Sequence, residues 1–368
     1  MGFAIYRRYR PKTVGEIIGQ DDLVTALSNA AKADRLAHAY LFYGPRGCGK
    51  TSAARIVAKL ANCEKRANDA DFRAKGEPCN ECRACNEIDE GRALDVIEID
   101  AASNRGIDEI RALKEGARLS PTSYRFKVFI IDEVHQLTKE AFNALLKILE
   151  EPPAHVIFIL ATTEYDKLPA TIVSRTQRFT FKKIPVRKIA DKLAMIAKAE
   201  KISISQEALD TIAIAAEGGF RDAESLFEQV AAMEDNEITL SEVERILGRV
   251  GIQKTIQITE AIIKKDAPKA LEILSEADHA GYNLNELIRD MIHYARKILV
   301  LSIDPRMAEI FAEEMTEESL ASAKGMAEGM DRDRMMRIIR VLIESYGQMK
   351  YSPFPIIPFE IAIAEITK

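Results

Sequence analysis

The chain has 368 residues, of which 47% are hydrophobic and 30% are charged. This length exceeds that of one ordinary domain, so two or three compact units are expected, and the apolar content excludes wholesale disorder. The 52 basic and 57 acidic residues give a net charge of −5, which excludes binding to nucleic acid by bulk electrostatic attraction. Any contact with DNA must therefore be local. The basic stretch Arg7, Arg8, Arg10 and Lys12 is one candidate, and a solvated basic start explains it equally well.

The opening residues do not form a signal peptide, because no apolar segment follows the basic cluster. No apolar run approaches the roughly 18 residues that a membrane-spanning helix requires. We therefore expect a cytoplasmic protein with no membrane partner. In that compartment cysteines are more often metal ligands or free thiols than disulfides.

Short β-like runs alternate with amphipathic helical stretches over residues 39–181. The predicted strands are Ala39–Tyr43, Val96–Ile99, Val128–Ile131, Val156–Ala161 and Arg178–Phe181. All but the last are nearly continuous apolar runs, as expected for strands buried on both faces of a parallel α/β sheet. A helix is predicted over Lys139–Glu151, where the prolines at 152 and 153 end it.

After residue 185 the β signal nearly vanishes and the pattern becomes helical. It includes a helix over Asp222–Met233 whose start is marked by two glycines at 218 and 219. We predict a nucleotide-binding α/β domain over residues 1–182, a small helical domain over 183–245 and an all-helical domain over 246–368.

Residues 44–51 form a complete P-loop pattern, placed between a predicted strand and a helix predicted over Thr51–Leu60. Glycines let backbone N–H groups encircle phosphates at the positive start of the helix. Lys50 can reach the β- and γ-phosphates, and the Thr51 hydroxyl can bind Mg²⁺. Cys48 is interpreted as a loop filler. The residues predicted to bind a nucleotide here are Gly44, Pro45, Arg46, Gly47, Cys48, Gly49, Lys50, Thr51 and Ser52.

The apolar run Val128–Ile131 is followed by Asp132 and Glu133. An acidic residue at the end of a buried strand beside a P-loop can hold the Mg²⁺ shell, and a second one can orient an attacking water. This pair favours nucleotide hydrolysis over phosphoryl transfer to a small acceptor, with Lys50, Asp132 and Glu133 as catalytic residues; the alternative is a solvated acidic turn. His135 completes a pattern similar to a helicase box, but no second nucleotide-binding lobe follows it.

Four cysteines are grouped after the P-loop helix, at positions Cys63, Cys79, Cys82 and Cys85. Four thiolates in a cytosolic chain suit a tetrahedral structural Zn²⁺. A redox pair is the alternative, but no thioredoxin-like βαβ pattern surrounds these residues. The sequence predicts a zinc module near residues 63–85.

Together these motifs resemble the clamp-loader branch of the AAA+ ATPases. The resemblance is carried by residues 6–12 and 18–20, the P-loop, Asp132–Glu133, Ala161–Thr163, Ser174–Arg175 and Gly219–Ala223. It is dense over residues 4–235. It implies a P-loop AAA+ parallel sheet with a zinc knuckle insertion, followed by a helical lid domain and a helical collar domain that oligomerises.

The resemblance also implies roles for single residues. Tyr9 and Arg10 lie in the segment similar to the family's adenine-binding region. Thr163 is preferred over Thr162 as the residue that senses the γ-phosphate, and both stay candidates. Arg221 would touch the γ-phosphate, and Arg175 would act as a catalytic arginine finger on a neighbouring subunit's ATP. Outside the motif context, surface residues in weak ion pairs are the favoured interpretation of both arginines.

The cysteine insertion narrows the resemblance to the gamma/tau and delta-prime subunits of bacterial DNA polymerase III. The intact P-loop favours gamma/tau. Thr176 replaces the family's usual cysteine after Arg175, and the finger role is expected to survive because the arginine is retained. The chain ends at Lys368 without the long tail of tau-like forms, which indicates either a short gamma-like product or a truncated one.

The function implied by the resemblance is ATP-dependent loading of the sliding clamp onto primed-template DNA. The implied cofactors are ATP, Mg²⁺ and Zn²⁺, and the partners are delta, delta-prime, other copies of the chain, the clamp and DNA. The chain has no separate carboxylate cluster for nucleotidyl transfer, so polymerase activity would belong only to the holoenzyme. Alternatives are another AAA+ machine, such as a junction-migrating motor, or a scaffold that binds ATP without hydrolysing it.

Overall fold

The computed structural model describes residues 4–233, 238–248, 251–312 and 314–368. The chain divides into two compact units. The first comprises Met1–Ile184 with Gly218–Asp222, and the second comprises Pro185–Glu217 with Ala223–Lys368. Over the described ranges, every helix is too short or too polar to cross a membrane.

The first unit is built on a five-stranded sheet in which all neighbouring strands are parallel. Its strands are β1 (Ala39–Tyr43), β2 (Val96–Asp100), β3 (Lys127–Asp132), β4 (Val156–Thr162) and β5 (Gln177–Thr180). The spatial order is β2-β3-β4-β1-β5. The carboxyl ends of β3, β4 and β1 therefore lie side by side at one edge of the sheet, where open α/β sheets bind ligands.

Helices cover both faces of this sheet, which explains why its central strands are apolar throughout. Alternate residues of β1 enter opposite cores: Tyr40 and Phe42 pack on one face, and Leu41 packs on the other. The helices of this unit are α1 (Ile5–Arg8), α2 (Asp21–Lys32), α3 (Lys50–Asn62), α4 (Glu64–Asn68), α5 (Ala70–Arg73), α6 (Arg83–Glu90), α7 (Ile107–Arg118), α8 (Lys139–Glu150) and α9 (Ala170–Val173). Short 3-10 turns occupy Val134–Gln136 and Tyr165–Lys167.

The second unit is helical, apart from an isolated bridge between Ile204 and Ile238. Its helices are α10 (Val186–Glu200), α11 (Gln206–Ala215), α12 (Phe220–Ala231, whose first turn belongs to the first unit), α13 (Leu240–Leu247), α14 (Ile252–Ile263), α15 (Ala267–His279), α16 (Leu284–Ile303), α17 (Met307–Phe311), α18 (Glu317–Ala327), α19 (Arg332–Met349) and α20 (Ile356–Ile366). From α14 onward their apolar faces share one core, to which α20 contributes Phe359, Ile363 and Ile366.

The structure confirms the predicted fold class and all five strands. The last strand begins one residue earlier than expected because Tyr40 pairs with Gln177 and Tyr43 with Thr180. Phe181 lies just beyond the strand and donates its N–H to the Tyr43 carbonyl at 2.7 Å. The helix predicted from Asp222 begins two residues earlier, at Phe220.

Candidate functional site

The P-loop connects the end of β1 to the start of α3. Gly44 has φ 142°, and a side chain there would overlap the carbonyl oxygen of Phe181. Gly47 has φ 77° and approaches the backbone of Gly219, so a Cβ would lie 3.0 Å from the Gly219 Cα. These positions require glycine for both conformation and space. The loop thereby presents backbone N–H groups at the amino end of a 13-residue helix.

Lys50 is the first residue of α3 and is buried. Its ammonium donates to the carbonyl oxygens of Gly44 and Pro45, both at 2.8 Å. Burial lowers the pKa of Lys50, and the nearby carboxylates of Glu133 and Asp132 oppose this effect. The lysine therefore lies within the loop that it would use to hold phosphates.

Thr51 and Asp132 are 81 positions apart in sequence and meet at the site. The Thr51 hydroxyl donates to Asp132 Oδ2 at 2.8 Å, while the N–H of Glu133 donates to Asp132 Oδ1 at 2.9 Å. A hydroxyl and a carboxylate are oxygen ligands of the kind that Mg²⁺ prefers. The donor set therefore fits the predicted magnesium site.

Glu133 follows β3 with a left-handed backbone, at φ 48°. Its Oε2 accepts hydrogen bonds from the Thr163 hydroxyl at 3.0 Å and from the Thr163 N–H at 3.3 Å. Thr162 is fully buried, and its hydroxyl lies 2.9 Å from Nδ1 of His135. Of the two threonines, Thr163 is therefore the one that contacts the predicted catalytic carboxylate.

Residues 218–222 pack against the P-loop within the first unit. The N–H of Phe220 donates to the Gly47 carbonyl at 3.0 Å, and the buried thiol of Cys48 lies 3.5 Å from the Gly218 carbonyl. Burial also raises the pKa of Cys48, and its interpretation as a loop filler stays a prediction. The exposed Arg221 guanidinium lies over the Tyr6 ring, 5.2 Å from its centroid.

The N-terminal segment brings Tyr9 and Arg10 into the first unit, both half-buried. Tyr9 ends α1, and its N–H donates to the Ile5 carbonyl. Burial lowers the pKa of Arg10, which also faces the Arg55–Glu98 ion pair. Arg46 and Ser52 complete the predicted nucleotide set, one exposed on the loop and the other half-buried on α3.

Arg175 makes its contacts elsewhere, beyond the end of α9. Its guanidinium donates to Glu150 Oε1 at 2.7 Å and to the Thr171 carbonyl at 2.8 Å. The arginine side chain is 33% exposed and that of Glu150 is 49% exposed. Arg175 is thus a surface residue of this chain, accessible to a neighbouring molecule.

The four predicted zinc ligands converge, with their sulfur atoms all within 4.8 Å of one another. Zinc–sulfur bonds of about 2.3 Å place the sulfurs of a tetrahedral site about 3.8 Å apart, and Cys79 Sγ and Cys85 Sγ are 4.0 Å apart. A hydrogen bond from the Cys85 thiol lowers the pKa of Cys63 to about 4, against the opposing effect of burial. The cluster therefore fits a structural Zn²⁺.

The P-loop helix supports this cluster directly. Cys63 is the C-cap of α3, and Lys59 on the same helix is fully buried. The Lys59 ammonium donates to Asn80 Oδ1 and to Asp89 Oδ1, both at 2.8 Å. Asn80 lies between two ligands of the cluster, so α3 carries Lys50 at one end and the cysteine module at the other.

His135 and Glu164 belong to the site but were not predicted as site residues. His135 lies between the ends of β3 and β4, with Nε2 at 3.0 Å from Glu164 Oε1. The sequence signal was available for both, because each follows a strand whose carboxyl end borders the P-loop. That position indicates a site residue only when the order of the strands in the sheet is known, and a single sequence does not give this order.

Family models cover nearly the whole chain. Residues 19–185 match the model "DNA polymerase III, delta subunit". Residues 188–236 match the ATPase lid domain of the DNA polymerase III clamp loader subunit, and residues 238–367 match domain III of the gamma and tau subunits.

Individual proteins are similar over comparable lengths. The DNA polymerase III subunit tau of Bacillus subtilis is 41% identical over 99% of this chain, and the chain spans 63% of that relative. The subunit gamma of Buchnera aphidicola is 35% identical, with 98% of this chain and 97% of the relative covered. Among solved structures, the RuvB Holliday junction branch migration motor of Thermotoga maritima matches with a TM-score of 0.48 and 21% identity, covering 69% of this chain and 79% of that one.

Proposed function

The chain belongs to the family of DNA polymerase III gamma and tau clamp-loader subunits, and from this premise we propose that it hydrolyses ATP to load a sliding clamp onto primed DNA. One observation carries the proposal. The side chains that ATP hydrolysis requires meet at the carboxyl edge of the sheet, where Thr51 bonds Asp132 at 2.8 Å and Thr163 bonds Glu133 at 3.0 Å.

ATP binds at the P-loop in this proposal. Lys50 exchanges its two carbonyl acceptors for oxygens of the β- and γ-phosphates. Thr51 and Asp132 would hold Mg²⁺, which when bound neutralises part of the phosphate charge. Glu133 orients a water molecule and accepts its proton as the water oxygen attacks the γ-phosphorus. The bond to the β–γ bridging oxygen then breaks, releasing ADP and phosphate.

The surrounding residues hold the nucleotide and report its state. Thr163 contacts Glu133 through both its N–H and its hydroxyl, so a γ-phosphate that attracts Thr163 would also shift the catalytic carboxylate. Arg221 would contact the γ-phosphate. Tyr9 and Arg10 would border the adenine.

Arg175 would complete the ATP site of a neighbouring copy. A finger supplied by another molecule is worth on the order of 10³–10⁵ in rate in GTPases. Its surface ion pair with Glu150 is no obstacle, because exposed pairs of this kind contribute only about 0–1 kcal/mol. Isolated chains should therefore hydrolyse ATP slowly, and assembly should accelerate the reaction.

Three domains serve this cycle in the proposal: an AAA+ domain over residues 1–182 with a zinc module near 63–85, a lid over 183–245 and a collar over 246–368. The spans of the matching family models, 19–185, 188–236 and 238–367, support these boundaries. The proposed partners are other copies of the chain, delta and delta-prime subunits, the sliding clamp and primed-template DNA, all in the cytoplasm.

The steady-state ATPase rate tests the proposal. It would be measured for the chain alone, with delta and delta-prime, and with clamp and primed-template DNA added. We expect a low basal rate that rises strongly only in the complete mixture, and a fall of about 10³-fold in Arg175→Ala. The control is Arg306→Ala, another surface arginine in an ion pair, here with Asp304.

Clamp loading, the arginine finger and ATP hydrolysis would each be contradicted by a different outcome. A rate indifferent to clamp and DNA would contradict clamp loading and favour another AAA+ machine. A stimulated rate that Arg175→Ala leaves unchanged would contradict only the finger role. Retained ATP binding with no turnover under any condition would support a scaffold.

A further inference from the structure

His135 occupies a position that the proposed mechanism leaves unused. It lies in the 3-10 turn after Glu133, and its side chain is 4% exposed. Nδ1 lies 2.9 Å from the Thr162 hydroxyl and 3.4 Å from Glu133 Oε2. The other ring nitrogen, Nε2, lies 3.0 Å from Glu164 Oε1 and 2.8 Å from the Gln136 amide nitrogen.

These contacts join the carboxyl ends of two neighbouring strands, β3 and β4. Glu133 follows β3, while Thr162 ends β4 and Glu164 follows it. The Glu164 N–H also donates to the Thr162 hydroxyl at 3.0 Å, and Lys167 compensates the Glu164 charge at 2.7 Å. The contacts with Glu164 and Gln136 hold the ring at Nε2, while Nδ1 faces the predicted catalytic carboxylate, to which it can donate when it carries a proton.

The Glu133 carboxylate needs such a neighbour for its position. Within the described chain, its three contacts all involve Oε2: the Thr163 hydroxyl at 3.0 Å, the Thr163 N–H at 3.3 Å and His135 Nδ1 at 3.4 Å. Contacts on one oxygen leave the other, Oε1, to receive a proton from water. Thr163 is itself proposed to respond to the nucleotide, whereas the imidazole is also held on its other side, by Glu164 and Gln136.

We propose that His135 is a positioning residue for Glu133, whose Nδ1 side holds the general base in the orientation that activates water. The inference rests on the proposed ATPase function. Misplacement of a reacting group by about 1 Å can lower a rate by about 100-fold. Loss of the Nδ1 contact should therefore lower kcat without weakening ATP binding.

Two substitutions separate the two ring nitrogens. In His135→Asn, the side-chain amide takes the position of Nδ1 and can keep the contact with Thr162 and Glu133. In His135→Gln, the side-chain amide takes the position of Nε2 and keeps only the contact with Glu164. If His135 only fills space in the core, the two variants should have equal activity. If it positions Glu133, their activities should differ.

The experiment measures kcat and the KM for ATP of the complete clamp- and DNA-stimulated complex. Nucleotide binding and the melting temperature of each variant accompany the kinetics. We expect His135→Gln to lose about tenfold in kcat with KM within about twofold of wild type, and His135→Asn to retain kcat within about threefold. The matched control is His155→Gln, since His155 Nε2 contacts the backbone carbonyls of Ala117 and Leu119 near the other end of β4, both at 3.1 Å.

The outcomes distinguish the inference from the function on which it rests. Equal kcat in both His135 variants, or a loss explained by weaker ATP binding or a lower melting temperature, would overturn the positioning role while wild type stays stimulated. A wild-type complex without stimulated hydrolysis would overturn the proposed function, and this inference would fall with it.

Discussion

The two candidate sites of the first unit lie at opposite ends of the same helix and satisfy their polar groups in different ways. At the start of α3, Lys50 bonds two carbonyls and Thr51 bonds Asp132, so the nucleotide site is ordered by its own side chains. At the end of α3, the sulfurs converge to within 4.8 Å, and their partners in the described chain are other thiols and backbone N–H groups. The polar side chains of the first site already bond one another, whereas the sulfurs of the second form a set that fits a cation.

Because of this difference, we expect the nucleotide site to affect catalysis and the cysteine module to affect folding. Substitutions at the nucleotide site should change turnover and leave the fold intact, because its residues border a surface where phosphates bind. Substitutions in the cysteine module should change stability, because the free energy of metal binding to four thiolates contributes directly to folding.

Glu133→Gln should show the largest effect and should affect activity alone. The amide keeps the size of the side chain and its contact with Thr163 but cannot accept a proton from water. General base catalysis contributes about 10²–10⁴ in rate, so we expect a loss of that order in single-turnover ATP hydrolysis, with ATP affinity retained. Glu140→Gln, at an exposed position in the first turn of α8, is the matched control. Substantial residual turnover in Glu133→Gln would show that another group accepts the proton.

Removal of the metal should produce the second largest effect, on stability. Cys85 is fully buried on α6, and Cys85→Ser replaces a predicted zinc ligand by a hydroxyl that binds zinc poorly. We expect loss of bound zinc, measured by its release to a chromogenic chelator, and a lower melting temperature. Cys48→Ser is the control for metal content, since this buried thiol lies outside the cluster. A zinc content near zero in wild type, or an unchanged content in Cys85→Ser, would contradict the assignment.

Only part of the fold and of each site can be predicted from the sequence. The strands, the P-loop and the four cysteines were predictable because their signals are local: apolar runs, glycines at fixed spacing and cysteines within a short interval. The contacts of His135 with Glu164 and of Lys59 with Asn80 were not, because they depend on strand order and on the path of a loop. Arg175 shows a further limit, since its contact with Glu150 within this chain does not indicate what it meets in an assembly.

Lys59 provides the smallest and most specific test, because it links the two regions without belonging to either site. Its side chain is fully buried, while that of Asp89 is 24% exposed, so Lys59→Met removes a buried charge whose partner can regain water. We expect a loss of about 1–3 kcal/mol in the free energy of unfolding, measured as a lower melting temperature and faster zinc release under chelator challenge. Lys65→Met is the control, since Lys65 and Glu81 form an exposed pair worth about 0–1 kcal/mol. If zinc release in Lys59→Met matched that of Lys65→Met, the helix would hold the module through Cys63 alone. If instead ATP affinity fell together with zinc retention, the two ends of α3 would be coupled, and the separation of catalysis from folding would fail.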